Sequence, residues 1–164
     1  MTAPSRLIVG RTNSGYCLRV EGRGTMRESP AAHEFGREIL DSEGGSLVVA
    51  LEACDYLDST FLGCLVDLHR RYGKQEPPRF LVAASPEQCR RLFAPNHLDK
   101  LLKATEVGPE VIGEEFVLPP LAKGSDELGL HVMECHRRLA ELGGPNQAAF
   151  ARIADQLARE LVNR

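Results

Sequence analysis

The sequence predicts an α/β fold, a mixed β-sheet with helices packed against it, followed by a C-terminal helical hairpin. Three observations lead there. Apolar runs at residues 7–11, 47–51 and 80–84 have the length and composition of strands. Amphipathic segments at helical spacing follow or separate them, and strands alternating with helices are the mark of a layered α/β domain. Beyond Pro119-Pro120, two further helical segments are joined by Gly143-Gly144-Pro145, a link short enough to favour an antiparallel pair.

Taken in order, the run 7–11 and the run 15–21 flank the turn-forming cluster Thr12-Asn13-Ser14 and predict a hairpin. In the second run Tyr16, Leu18 and Val20 alternate with Cys17, Arg19 and Glu21, the period of a half-buried strand. Ser29 and Pro30 open a helix reaching about Ser42, with Phe35, Ile39 and Leu40 facing inward. After the strand 47–51, residues 52–57 read as a connector and a helix starts behind Asp58. Phe61, Leu62, Leu65, Val66, Leu68 and Tyr72 form its apolar stripe, and Asp67, Arg70 and Arg71 its outer face. Gly63 lies one turn into this helix, where glycine costs ~1 kcal/mol relative to alanine. Something must pack closely there, either another element of the chain or a docking partner.

A connector at 73–78 leads to the strand 80–84, and a helix follows Pro86 until Pro95 interrupts it. Residues 107–117 hold a short edge strand broken by Gly108-Pro109. In the hairpin, Leu128, Val132, Cys135, Leu139 and Leu142 make a narrow seam, while Phe150, Ile153, Ala154, Leu157 and Leu161 share one face of the last helix. The expected division is residues 1–118 for the α/β unit and 125–164 for a helical extension packed on or next to it.

Composition narrows the function. With 43% hydrophobic and 26% charged residues in 164, the chain reads as one globular domain with a proper core. A net charge of −3 argues against binding a phosphate backbone, so nucleic acid is not an expected partner. No stretch approaches the roughly 18 apolar residues of a membrane helix, and the first six residues carry no apolar signal segment. The five cysteines (Cys17, Cys54, Cys64, Cys89 and Cys135) form no Cys-x-x-Cys pair and sit mostly among apolar neighbours. A cytoplasmic location, without membrane partners, is therefore expected.

Few residues suggest chemistry. Ser59 with Asp58 and His69 does not make a nucleophilic triad, because no Gly-x-Ser-x-Gly elbow is present and His69 lies roughly 15 Å along the same helix. His131, Cys135 and His136 offer ligand atoms, but no second cluster in the sequence completes four, so no metal is expected. Gly22-Arg23-Gly24 lacks the third glycine of a dinucleotide fingerprint, and no phosphate loop occurs. Neither cofactor nor catalytic residue is assigned. Asp58 and Ser59, in contrast, stand at a helix N-terminus. Either type caps a helix there, at a cost of ~1 kcal/mol when lost. The same position also tolerates an added phosphate, through unpaired N–H groups and the positive end of the helix dipole.

Asp58-Ser59-Thr60-Phe61-Leu62-Gly63, behind the strand 47–51 and ahead of Phe80-Leu81-Val82-Ala83-Ala84, resembles the signature of the STAS domain. That domain is shared by sulfate transporters and bacterial anti-sigma factor antagonists. The resemblance spans roughly residues 7–118, and every position of the pattern Asp-Ser-(Ser/Thr)-x-(Leu/Ile)-Gly is matched. It implies a STAS-like mixed sheet and an antagonist that docks proteins rather than catalysing a reaction. In that family the serine after the aspartate is the phosphoacceptor, here Ser59. The implied partners are a serine kinase that doubles as an anti-sigma factor and a metal-dependent serine phosphatase that resets the serine. The implied switch surface comprises Asp58, Thr60, Phe61, Leu62 and Gly63 with Arg23, Gly24 and Thr25. One departure stands out: antagonists commonly carry Gly-x-(Leu/Ile/Val)-Asp after the second strand, whereas this chain has Gly22-Arg23-Gly24-Thr25-Met26. The acidic residue is replaced by a stretch bearing a cation, which can pair with phosphate. The alternative expectation is a scaffold that is never phosphorylated and assembles with itself, as a homodimer through the C-terminal helices, or with a sensor.

Overall fold

Arg6–Arg11 (β1) and Tyr16–Gly24 (β2) form the hairpin, antiparallel, with Leu7 opposite Val20 and Val9 opposite Leu18. This is a computed structural model, and it describes residues 4–42 and 44–163. Leu47–Ala50 (β3) runs parallel to β2. Cys54–Leu57 (β4) also runs parallel to β2, pairing with its far end at residues 22–24. Phe80–Ala83 (β5) lies parallel to β3, and Ala104–Thr105 (β6) parallel to β5. Ile112–Leu118 (β7) closes the opposite edge, antiparallel to β1. The described residues thus form a mixed seven-stranded sheet in the order β6-β5-β3-β2-β1-β7, with β4 beside β2. The α/β class is the one the alternation predicts.

Two strands were not visible in the pattern. Residues 52–57, read as a connector, contain β4. Cys54 and Leu57 are buried while Asp55 and Tyr56 are exposed, so the two-residue alternation that marks a strand is missing. The two-residue β6 is too short to carry any period. The edge strand expected within 107–117 begins after the Gly108-Pro109 break and keeps most of β7 exposed.

Ser29–Asp41 (α1) and Ser59–Tyr72 (α2) pack on one face of the sheet. Leu18, Val20, Leu47, Val49, Phe80 and Val82 from the strands meet Leu40, Phe61, Leu62 and Leu65 from these helices in the main core. Among the described residues the opposite face holds a small cluster of Cys17, Ala50 and Ala83 with Val48 and Val111 against it. Pro30 occupies the first turn of α1, as expected. The last turn of α1 is held by Arg79, whose guanidinium donates to the carbonyls of Leu40 (2.6 Å), Ser42 (2.7 Å) and Gly45 (2.7 Å). Pro86–Leu92 (α3) starts with a reciprocal capping box between Ser85 and Gln88.

Ser125–Glu141 (α4) and Gln147–Val162 (α5) follow, packed on each other, and α4 also lies along α2. The seam predicted for α4 is wider than its heptad pattern. Met133, Cys135, His136, Leu139 and Ala140 are buried and Leu142 is exposed, because α4 is held between α2 and α5. Leu139, Ala140 and Phe150 belong to the main core. Asp67 corrects another expectation. Assigned to the outer face of α2, it is only 6% exposed, and His33 from α1 and Arg71 and Arg138 surround its carboxylate. Burial pushes that carboxyl up, but these partners outweigh it and hold it well below the usual carboxylate range. No helix among the described residues is long and apolar enough to cross a membrane.

Gly63 explains how closely α4 approaches. A Cβ on it would fall 2.7 Å from both the Cβ and the carbonyl oxygen of Cys135. Backbone cannot yield there as a flexible side chain can. Gly63→Ala should therefore lose about 1–3 kcal/mol despite its gain in helix propensity. At Gly36 of α1 a Cβ would meet only the tips of Leu68 and Leu47, at 3.0 and 3.3 Å, so Gly36→Ala should stay within about 1 kcal/mol of wild type. Urea unfolding of the two variants checks the contrast.

Candidate functional site

Asp58 is the N-cap of α2, with extended backbone angles, and its Oδ1 accepts from the Phe61 N–H at 2.8 Å. Its Oδ2 accepts from the Met26 N–H at 2.8 Å, and its own N–H donates to the Gly24 carbonyl at 2.9 Å. One carboxylate thus fixes the start of α2 and the loop between β2 and α1 together. Gly24 is needed for this approach, since a Cβ there would lie 2.6 Å from Leu57 Cδ2 and 3.0 Å from Phe61 Cδ2.

Ser59, the first residue of α2, is half-buried and bonds to α4, with its Oγ 2.8 Å from His136 Nε2. The other ring nitrogen, Nδ1, lies 2.7 Å from the Val132 carbonyl, which can only accept. In the neutral ring Nδ1 therefore carries the proton, and the Ser59 hydroxyl donates to Nε2. His136 is 4% exposed and tilted against Phe150, with ring centroids 5.9 Å apart. Ser59 also faces an open cleft of about 300 Å³, lined by Asp55, Tyr56, Arg91, Asn96 and Phe150.

The residues expected to share the switch surface divide into two sets. Thr60, Phe61, Leu62 and Gly63 are buried, so a partner approaching the first turn of α2 meets Asp58 and Ser59 instead. Arg23 places its guanidinium over the Tyr56 ring, 4.5 Å from the centroid. With Thr25 and Met26 it lines a second open groove of about 760 Å³ that Arg27 and Lys123 also border. The cation lining the cleft beside Ser59 is Arg91 rather than Arg23. His136, considered in the sequence only as a metal ligand, is the residue that meets Ser59. Nothing in the local pattern marks it, because the contact joins residues 77 positions apart.

Because Asp58 satisfies two backbone donors on different elements, Asp58→Ala should cost more than an ordinary cap, about 2 kcal/mol. Asp58→Asn keeps one acceptor oxygen and turns an amide NH2 toward the other N–H, so it should recover only part of that loss. Denaturant titration of both variants measures the difference.

No protein-family profile and no curated protein matches the chain. Its structure is similar to the crystal structure of an anti-sigma factor antagonist from Mycobacterium paratuberculosis, with a TM-score of 0.52 and 23% sequence identity. The match covers 92% of that chain and 65% of this one, leaving the rest of this chain without a counterpart there. The fold is therefore the STAS-type α/β fold.

Proposed function

We propose that this protein is an anti-sigma factor antagonist, a protein-docking module whose partner is a serine kinase acting as an anti-sigma factor and whose state is set by phosphorylation of Ser59. The observation that carries this reading is the position of Ser59, first residue of α2, directly behind the Asp58 cap and open to a cleft. The STAS-type fold and the matched hexapeptide support it. A metal-dependent phosphatase would complete the cycle.

A phosphoryl group adds about −1.5 to −2 charges. The positive end of the α2 dipole favours it, and the Asp58 carboxylate opposes it. The serine also loses the proton it donates to His136 Nε2, so the hydrogen bond that ties α4 to the start of α2 is lost in its present form. At a docked interface the same charge disfavours a surface shaped for a neutral hydroxyl. The groove lined by Arg23, Arg27 and Lys123 against one carboxylate, Glu28, lies next to this first turn, and its excess of cations suits an acidic partner surface.

The test is incubation with ATP and the serine kinases of the source organism, followed by phosphosite mapping. Phosphate is expected on Ser59 and absent from Ser59→Ala. Ser59→Ala should keep its affinity for the kinase, whereas Ser59→Asp should lose about a hundredfold, equivalent to ~2.7 kcal/mol. His136→Ala, which frees the hydroxyl, should be phosphorylated faster than wild type. Equal binding by the two Ser59 variants, with no phosphate from any kinase that binds, would overturn the switch in favour of a constitutive scaffold.

A further inference from the structure

Where α1, α2 and α4 meet, four metal-ligating side chains converge. Cys64 Sγ of α2 lies 3.6 Å from Cys135 Sγ of α4 and 3.6 Å from His131 Nε2. The remaining side of this triangle, Cys135 Sγ to His131 Nε2, is 3.8 Å. All five cysteines of the chain are free thiols. A tetrahedral metal with bonds of about 2.3 Å to sulfur and 2.0–2.1 Å to nitrogen holds its donors roughly 3.5–3.8 Å apart. The three observed distances fall at that spacing. His33 of α1 supplies a fourth donor, with ligand atoms of His33, Cys64 and His131 all within 4.8 Å of one another; Cys135 lies outside that group, so its sulfur and the His33 ring must draw together around the metal.

We propose that Cys64, Cys135, His131 and His33 form a binding site for a soft divalent cation, zinc by its donor set, that fastens α4 to α1 and α2. Two sulfurs and two imidazoles suit tetrahedral zinc rather than the oxygen-loving cations. Four protein ligands leave no open coordination position, so the site is structural. Two thiolates neutralise the dication, and binding releases their two protons to solvent without any change of oxidation state. The surrounding shell fits this role. Asp67 Oδ2 holds His33 Nε2 at 2.7 Å, as carboxylates commonly hold metal-bound histidines. Arg138 reaches both Asp67 (3.5 Å) and the Cys135 sulfur (3.8 Å). Ser29 Oγ, 2.9 Å from His131 Nε2, is the group that must give way to the metal.

The experiment uses the full chain, fully reduced, titrated with Co²⁺ and then Zn²⁺. One equivalent of Co²⁺ should produce a thiolate-to-metal charge-transfer band with tetrahedral ligand-field bands, and Zn²⁺ should bleach both. Cys64→Ser/Cys135→Ser should lose the signal and Cys17→Ser/Cys89→Ser should keep it. Zinc at a hundredfold over its dissociation constant should raise the thermal midpoint by about 5–10 °C. Should the double variant fail to fold, X-ray absorption of the zinc-loaded wild type counts the sulfur neighbours directly. Two sulfurs support the site. No charge-transfer band in the reduced wild type, a band that survives in the folded double variant, or a zinc shell of nitrogen and oxygen only would overturn it. None of these readouts depends on Ser59 or on a kinase.

Discussion

The close approach of α4 to α2 at Gly63 sets the relation of everything on that side of the sheet. With no side chain at that position, the backbone of α4 comes near enough for Cys135 to lie over the glycine. The neighbouring contacts follow from helical geometry. Cys135 meets Cys64, one residue further along brings His136 to Ser59, and three further brings Arg138 to Asp67. A helix advances about 100° per residue, so a slip of one residue along α4 would undo all three pairings. A small residue and three polar pairings fix the register of this seam.

Asp58 plays the comparable part at the mouth of the site. A cap normally satisfies one donor of its own helix. Here the second carboxylate oxygen holds the Met26 N–H of a loop 32 residues earlier. The start of α2 and the rim of the neighbouring groove therefore move as one piece. The Asp58 side chain links Met26 to the residue before Ser59, beside the bond from the Asp58 N–H to the Gly24 carbonyl. The link is a hydrogen bond of ordinary length, 2.8 Å.

Much of this was legible in the sequence wherever a period was repeated often enough. The apolar runs of β1, β3 and β5 and the stripe of α2 stand out, and the cost of a glycine at 63 announced a close neighbour without naming it. What stayed hidden was decided by partners distant in the chain. Asp67 has the sequence context of a solvated helix face. It is buried because His33, 34 residues earlier, and Arg138 on α4 both reach it. The ligand set failed to appear for the same reason. His131 and Cys135 are four apart on one helix, but Cys64 and His33 come from two others, and no spacing rule connects them. His136 likewise reads as one more helical histidine until the fold sets it against Ser59.

The order of elements along the chain has a consequence for biosynthesis. The sheet, α1 and α2 are all encoded before α4, so a nascent polypeptide completes the groove at Gly63 before its cover exists. Until residues 125–141 leave the ribosome, the Ser59 hydroxyl has no imidazole to meet and the Cys64 thiol has no neighbour on α4. Domains generally fold as they emerge, N-terminal parts first. The newborn chain therefore passes through a stage in which the first turn of α2 is bare, and the arrival of the last two helices is its first act of concealment.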